Sequence, residues 1–272
     1  MDVEISFDTV TGWLAWRHAN PWAADRSYIA ELVACARRRG IVSAFLGAVP
    51  PDRIDIADTN FRESFLADGF SPRFRVVLDH VAEGVVDGIP SQALRLYAPE
   101  ALTPFALALR GRYPYFHGSE YLPDPESRRR HFPIPHEDLT TLSLPTGRFD
   151  AILSNDVFEH VHDLDRALSE LARILRPGGI LLATFPFAYN RYDTVVKAVL
   201  LDGRIEHQGE PEYHANPVDP RGSLVYQIPG WDVLDRARKQ GFACAEMRFV
   251  SSKRSGICAT GLAGIFLMRA VR

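Results

Sequence analysis

Hydrophobic positions recur along this 272-residue chain with two different rhythms, and the change between them divides the sequence. Up to about residue 90 the rhythm is helical. Tyr28, Leu32, Cys35 and Ala36 share one face before an Arg37-Arg38-Arg39-Gly40 stop, and Phe74, Val77, Leu78 and Val81 repeat the spacing. Trp13, Trp16 and Trp22 open this block, so residues 1–90 are expected to form a helical, aromatic-rich lid region. From about residue 91 to 272, short aliphatic runs alternate with helical stretches. Runs at 93–97, 115–118, 149–154 and 180–185 predict strands, and a helix is predicted from an Asp163 cap through Leu164, Leu168, Leu171 and Leu175. Two further runs, 245–250 and 264–269, have no long helix between them and predict an antiparallel hairpin. Such alternation belongs to βαβ units, so the expected class is α/β with a mainly parallel sheet.

Composition narrows the functional classes. Hydrophobic residues at 46% and charged residues at 24% are those of a folded globular chain. The formal net charge of -3 gives no field for a nucleic-acid backbone or an anionic membrane, so neither partner is expected. Cys35, Cys244 and Cys258 form no CxxC pair, which argues against a disulfide framework and a cysteine-rich zinc site. The start of the chain has acidic residues where a secretory signal needs positive charge, and no apolar run approaches the roughly 20 residues that span a bilayer. A soluble cytoplasmic protein is expected, and its oligomeric state is left open, a homodimer being one option.

In an open parallel sheet a ligand lies beyond the carboxyl ends of the strands. Those ends are polar here. Ser119, Glu120 and Tyr121 follow the second predicted strand; His136, Glu137, Asp138 and Leu139 are expected to follow a third; Asn155, Asp156, Glu159 and His160 follow the next. A carboxylate such as Glu120 can accept hydrogen bonds from both hydroxyls of a ribose. Asp138-Leu139 has the form that takes an adenine amino group while packing on the ring.

The segments His136-Glu-Asp-Leu, Leu142-Ser-Leu-Pro, Phe149-Asp-Ala-Ile-Leu-Ser-Asn-Asp-Val-Phe-Glu-His-Val-His-Asp and Leu175-Arg-Pro-Gly-Gly, in that order, resemble the second half of a class I S-adenosylmethionine-dependent methyltransferase. Glu100-Ala-Leu-Thr-Pro-Phe, Gly118-Ser-Glu-Tyr-Leu, Pro211-Glu-Tyr-His and Gly230-Trp-Asp-Val-Leu-Asp resemble a bacterial, methyltransferase type 11-like subgroup with a glycine-poor first motif. The resemblance implies a Rossmann-like fold with a mainly parallel seven-stranded sheet, an antiparallel C-terminal hairpin and an N-terminal helical extension, over residues 91–272 with the block 1–90 before it. It implies S-adenosyl-L-methionine as cofactor. Glu120 and Tyr121 would hold the ribose, Asp138 and Leu139 the adenine, and Asn155 and Asp156 the methionine end. Tyr97, Ala98 and Glu100 would line the first turn, which lacks the family's usual glycines. Relatives often carry paired cysteines near residues 60–75, and this chain has none there, so no structural zinc is expected.

An insertion at about 188–227, rich in His, Tyr, Glu, Asn and Pro, is expected to shape the acceptor pocket. Its His207, Glu210, Glu212 and His214 have ligand chemistry, but a substrate pocket accounts for them better, and no metal is expected. His214 or His160 is the candidate general base, with Tyr213 and Glu212 beside it. The expected activity is transfer of a methyl group to an oxygen or nitrogen of a small-molecule acceptor, in biosynthesis of small molecules. Two alternatives stand beside it: a non-methyl-transfer reaction such as an internal displacement or cyclisation, which keeps the same cofactor contacts, and a non-catalytic partner protein whose pocket has decayed, as the glycine-free turn permits. A nicotinamide dehydrogenase lacks its GxGxxG.

Overall fold

The computed structural model describes residues 2–84 and 88–272, so residues 1 and 85–87 of the expected N-terminal block lie outside the described residues. In chain order the main elements are β1 (Asp2–Phe7), α1 (Val10–Ala19), α2 (Arg26–Arg39), α3 (Pro72–Gly84), β2 (Arg95–Ala98), α4 (Pro104–Arg112), β3 (Tyr115–Gly118), β4 (Phe149–Asn155), α5 (Leu164–Ile174), β5 (Leu175–Thr184), α6 (Asp232–Lys239), β6 (Cys244–Ser252) and β7 (Ile265–Val271). The architecture is mixed α/β and Rossmann-like, with seven main strands. The chain divides into two compact units, one of residues 1–91 with 246–269, the other of 92–245 with 270–272.

The smaller unit is more than a helical block. Helices α2 and α3 fall where the apolar spacing predicts them, and Gly40 ends α2 with φ +74°, in a position where a Cβ would strike the Val49 carbonyl. Residues 2–7 form a strand that pairs antiparallel with β6, from Asp2 opposite Ser252 to Phe7 opposite Met247. The alternation Val3, Ile5, Phe7 is a strand pattern inside a region read as helical, because six residues carry little weight beside the longer helices around them. Antiparallel pairs at 41–43 with 47–49 and at 54–56 with 65–67 add further extended chain. The tryptophans belong to this unit's core: Trp13 is fully buried, with ring centroids 5.2 Å from Phe249 and 4.8 Å from Phe266.

The larger unit carries the parallel strands in the order β5-β4-β2-β3. The order reverses direction at β2 and β4, which makes their carboxyl ends the switch point. Strand β4 is buried along its whole length, as a central parallel strand must be. Helix α5 runs as predicted, capped by Asp163, whose side chain accepts from the Arg166 amide. The expected third strand does not form. The chain at 131–136 is reduced to one parallel bridge between Glu120 and His136, flanked by hydrogen bonds from Glu120 N to Pro135 O and from Glu137 N to Glu120 O. Pro133 and Pro135 lack the N–H groups that a ladder needs. The insertion folds into short antiparallel pairs, 195–196 with 227–228, 198–201 with 204–207 and 213–214 with 223–224. Among the described residues no helix is long and apolar enough to cross a membrane.

Candidate functional site

The turn after β2 reads Ala98-Pro-Glu-Ala-Leu-Thr103 and is built without glycine. Thr103 caps α4 by accepting from the Ala106 amide at 3.2 Å, and the Ala101 amide donates to the Ser119 carbonyl at 3.0 Å, which ties the turn to the end of β3. Space for this approach comes from Gly118, where a Cβ would press on Ala101 and Phe116. Glu100 is buried. Its Oε1 accepts from the Asn155 amide at 2.8 Å and from Asn155 Nδ2 at 3.0 Å, while Asn155 Oδ1 accepts from Thr184 Oγ1 at 3.0 Å. Two of the expected cofactor contacts thus bind each other, and the ends of β2, β4 and β5 are laced together. Tyr97 is fully buried, stacked on Phe149, with its hydroxyl 2.8 Å from Ser119 Oγ, so it packs the sheet layer beneath Ala98.

Glu120 follows β3 and is half-buried. Its Oε1 accepts from the Leu102 amide at 2.9 Å, and Oε2 has no hydrogen-bond partner among the described residues. Burial raises its pKa above the ordinary value, and the Leu102 hydrogen bond opposes this. Tyr121 is exposed, with its ring 5.7 Å from that of His136. His136 Nδ1 in turn accepts from the Leu122 amide at 2.9 Å, which secures the bridge between these segments. Asp138 Oδ1 accepts from both the amide and the hydroxyl of Thr140, at 2.8 and 2.7 Å, and Leu139 beside it is buried.

At the end of β4, Asp156 takes φ +52°, a left-handed conformation that a short polar residue tolerates, and its amide donates to the Thr184 carbonyl at 2.8 Å. The chain then turns through a short 3-10 segment, Phe158–His160, which turns the Glu159 side chain inward. Glu159 is completely buried, and neither carboxylate oxygen has a hydrogen-bond partner. Two imidazoles face it. His160 Nε2 and His214 Nδ1 each stand 3.6 Å from Glu159 Oε1, and the two rings meet edge to face at 5.1 Å. His160 Nδ1 lies 2.9 Å from the Leu224 carbonyl and His214 Nε2 3.3 Å from Glu212 Oε1. Glu212 also meets Lys197 Nζ at 3.1 Å. The Glu159 carboxylate, with help from Glu212, raises the pKa of His214 against the opposing effect of burial. Tyr213 is exposed beside His214. His207 and Glu210, also exposed, lie outside this cluster.

The structure therefore brings His160, His214 and Glu212 together and adds Glu159 to them. Sequence reasoning placed Glu159 only among the polar residues after β4. The available signal was its adjacency to His160 in Asp156-Val-Phe-Glu-His, but nothing local to that segment reveals that the carboxylate is buried.

Residues 120–183, from the end of β3 through β5, match the family model described as a methyltransferase domain. A methyltransferase of Mycobacterium tuberculosis is 44% identical over 46 residues, 17% of this chain and 23% of the relative. A probable S-adenosylmethionine-dependent methyltransferase of Mycolicibacterium smegmatis is 40% identical over 53 residues, 20% of this chain and 21% of the relative. The stretch from the end of β3 through β5 is thus similar to S-adenosylmethionine-dependent methyltransferases. The matched stretches span less than a quarter of these relatives' lengths. A solved S-adenosylmethionine-dependent methyltransferase from Mesorhizobium loti is 18% identical, with a TM-score of 0.43 over 68% of this chain and 94% of that one.

S-adenosylmethionine is the cofactor named for the Mycolicibacterium smegmatis relative, and the donor set at the switch point has the chemistry to receive it. A ribose diol needs an anionic acceptor, and Glu120 offers a carboxylate whose backbone-held Oε1 fixes the group while Oε2 stays open. An adenine ring needs an apolar neighbour and an acceptor, which Leu139 and Asp138 can supply. The methionine end finds Asn155 already engaged, so Asn155 would shape the floor of the site rather than contribute free polar atoms.

Proposed function

We propose that this methyltransferase transfers the methyl group of S-adenosylmethionine to an oxygen or nitrogen of a small-molecule acceptor. When bound, the cofactor supplies an electrophilic methyl on a sulfonium, so the protein's task is mainly to align an acceptor lone pair behind it. Glu120 would anchor the ribose, with Tyr121 at its rim, and Asp138 and Leu139 the adenine. The Ala98–Thr103 turn and Asn155–Asp156 would enclose the methionine end.

The observation that carries this reading is the half-buried Glu120 carboxylate with one oxygen held by Leu102 and the other open, at the end of the strand next to the switch point. The acceptor side falls to Glu159, His160 and His214 with Glu212 and Tyr213. These are titratable groups able to hold a hydroxyl or amine and accept its proton. Calorimetric titration with S-adenosylmethionine and S-adenosylhomocysteine tests the reading: saturable one-to-one binding by the wild type, lost or much weakened in a folded Glu120→Ala variant, is expected. Absence of binding to the wild type overturns it. Once an acceptor turns over, S-adenosylhomocysteine must appear in equal amount with methylated product, and turnover without it would indicate a different use of the cofactor.

A further inference from the structure

The Glu159 cluster is built in a way that a proton-accepting pocket does not require. A fully buried carboxylate with no hydrogen bond to either oxygen is costly, and among the described residues only the two imidazoles at 3.6 Å stand close enough to offset its charge. A cation held among the three groups would supply the compensation that the imidazoles at 3.6 Å give only in part.

The two histidines are arranged for that role. The Leu224 carbonyl can only accept, so His160 carries its proton on Nδ1 and leaves the Nε2 lone pair toward Glu159. Glu212 likewise takes the Nε2 proton of His214 and leaves Nδ1 toward the same Glu159 oxygen. Each lone pair therefore faces the same carboxylate oxygen across 3.6 Å. The three donor atoms all lie within 4.8 Å of one another. Bonds of about 2.0–2.2 Å around a tetrahedral ion put neighbouring ligand atoms about 3.3–3.6 Å apart, so at most a small contraction is needed. The outer partners match as well: metal-bound histidines characteristically give their other N–H to a carbonyl or carboxylate, as these two do.

We propose that Glu159, His160 and His214 form a mononuclear site for a divalent transition-metal ion. Two imidazoles and one carboxylate suit zinc, cobalt, iron(II), manganese or nickel, and three protein ligands leave coordination positions open. The use of those positions rests on the methyltransferase reading above: they would take a hydroxyl or carboxylate oxygen of the acceptor, hold it in place and make a hydroxyl easier to deprotonate. That selects oxygen-bearing acceptors within the proposed class. Of the insertion residues weighed as ligands from sequence, His207, Glu210, Glu212 and His214, only His214 belongs to this set, and Glu159 and His160 come from the end of β4, where no metal was expected.

The test is made on the full-length protein, stripped with a chelator and titrated with cobalt(II) alone, without cofactor or acceptor. One equivalent should bind and develop visible d–d absorption that zinc(II) abolishes. His160→Ala and His214→Ala should each weaken binding by at least a hundredfold. Glu212→Gln should cost roughly tenfold to a hundredfold as an outer partner, and His207→Ala should bind like the wild type. No stoichiometric binding to the wild type, or binding that survives both ligand variants, overturns the site. Should the variants fail to fold, the unmutated cobalt protein decides. Two paramagnetically shifted imidazole N–H signals are expected, from His160 Nδ1 and His214 Nε2, and their absence refutes histidine ligation. Cobalt binding by a protein that ignores S-adenosylmethionine would defeat the methyltransferase reading and leave the metal site standing; cofactor binding without cobalt binding would do the reverse.

Discussion

The Glu100 carboxylate accepts from both nitrogens of Asn155, backbone and side chain, through a single oxygen. This one relationship joins the turn after β2 to the end of β4, the two strands that flank the switch point. In many nucleotide-binding turns glycine lets the backbone approach the ligand. Here shape at that turn is fixed by a buried acid and its amide partner instead.

Removing that acid should therefore be felt in stability first. Glu100→Ala leaves two donors of Asn155 without an acceptor, and at about 1–3 kcal/mol for each stranded buried group a loss of about 2–6 kcal/mol is expected. Glu100→Gln keeps an acceptor oxygen and should cost about 1 kcal/mol. Urea unfolding of the three proteins checks the order, and equal stabilities would show that the pairing contributes nothing.

The proposed ribose anchor, Glu120, should set cofactor affinity and its pH dependence. Loss of a charge-assisted hydrogen bond of about 1.5–3 kcal/mol predicts at least tenfold weaker S-adenosylhomocysteine binding in Glu120→Ala. Because burial raises the Glu120 pKa, the carboxylate takes up its proton at a higher pH than an ordinary glutamate. Affinity should accordingly decline as pH falls through that raised value. Folding runs the other way. The raised pKa adds stability that is complete below the ordinary glutamate value and fades as pH climbs through the raised one. Calorimetry across mildly acidic pH, compared with Glu120→Gln, whose binding should lack this slope, separates the two effects.

Asp150 opens β4 between two guanidiniums, with Arg95 Nη2 at 3.0 Å and Arg176 Nε at 2.8 Å. Burial would push this carboxyl up, but the hydrogen bonds from Arg95 and Arg176 more than offset it, and its pKa is lowered. A lowered pKa contributes stability that is present above the unfolded value and lost as pH drops through the folded one. Asp150→Asn should cost about 2–3 kcal/mol at neutral pH, below the range for fully buried pairs because both arginines reach solvent. The cost should shrink in acid, and a pH-independent difference in denaturation midpoints would contradict this account.

The buried contact between Tyr97 and Ser119 offers a fourth check. Tyr97→Phe and Ser119→Ala each break one hydrogen bond of 2.8 Å, and each should cost about 1 kcal/mol. Because both changes remove the same bond, the double variant should cost less than the sum. Strict additivity in thermal or urea unfolding would mean the two hydroxyls act independently.

What could be read in the sequence was what local pattern encodes. The α5 helix, its Asp163 cap and the buried run of β4 follow from spacing and composition, and Glu120 stands out as an acid at a strand end. What could not be read depends on partners far along the chain. Glu100 and Asn155 are 55 residues apart, and each alone looks like a group awaiting a ligand. Tyr97, which the resemblance puts at the first turn, lies buried against Phe149 and Ser119, and a four-residue strand does not disclose which face is covered. The expected third strand failed at Phe132-Pro-Ile-Pro, where apolar content suggests a strand and the missing amides forbid one. Glu159 sits next to a recognised histidine, but its burial is set by chain arriving from the insertion, where the Tyr226 amide donates to its carbonyl.

The pairing of β1 with β6 has a bearing on how the molecule comes into being. Asp2 meets Ser252 across 250 residues, and the Asp2 carboxylate accepts from the Ser252 hydroxyl at 2.8 Å. A ribosome making this chain would release its opening strand long before the partner exists, while the parallel strands of the larger unit could assemble in the interval. Completing the smaller unit therefore requires closing a loop of about 250 residues rather than local growth. For the same reason no single proteolytic cut or continuous fragment can isolate it, since residues 1–91 made alone would lack the strand on which their own first strand is completed.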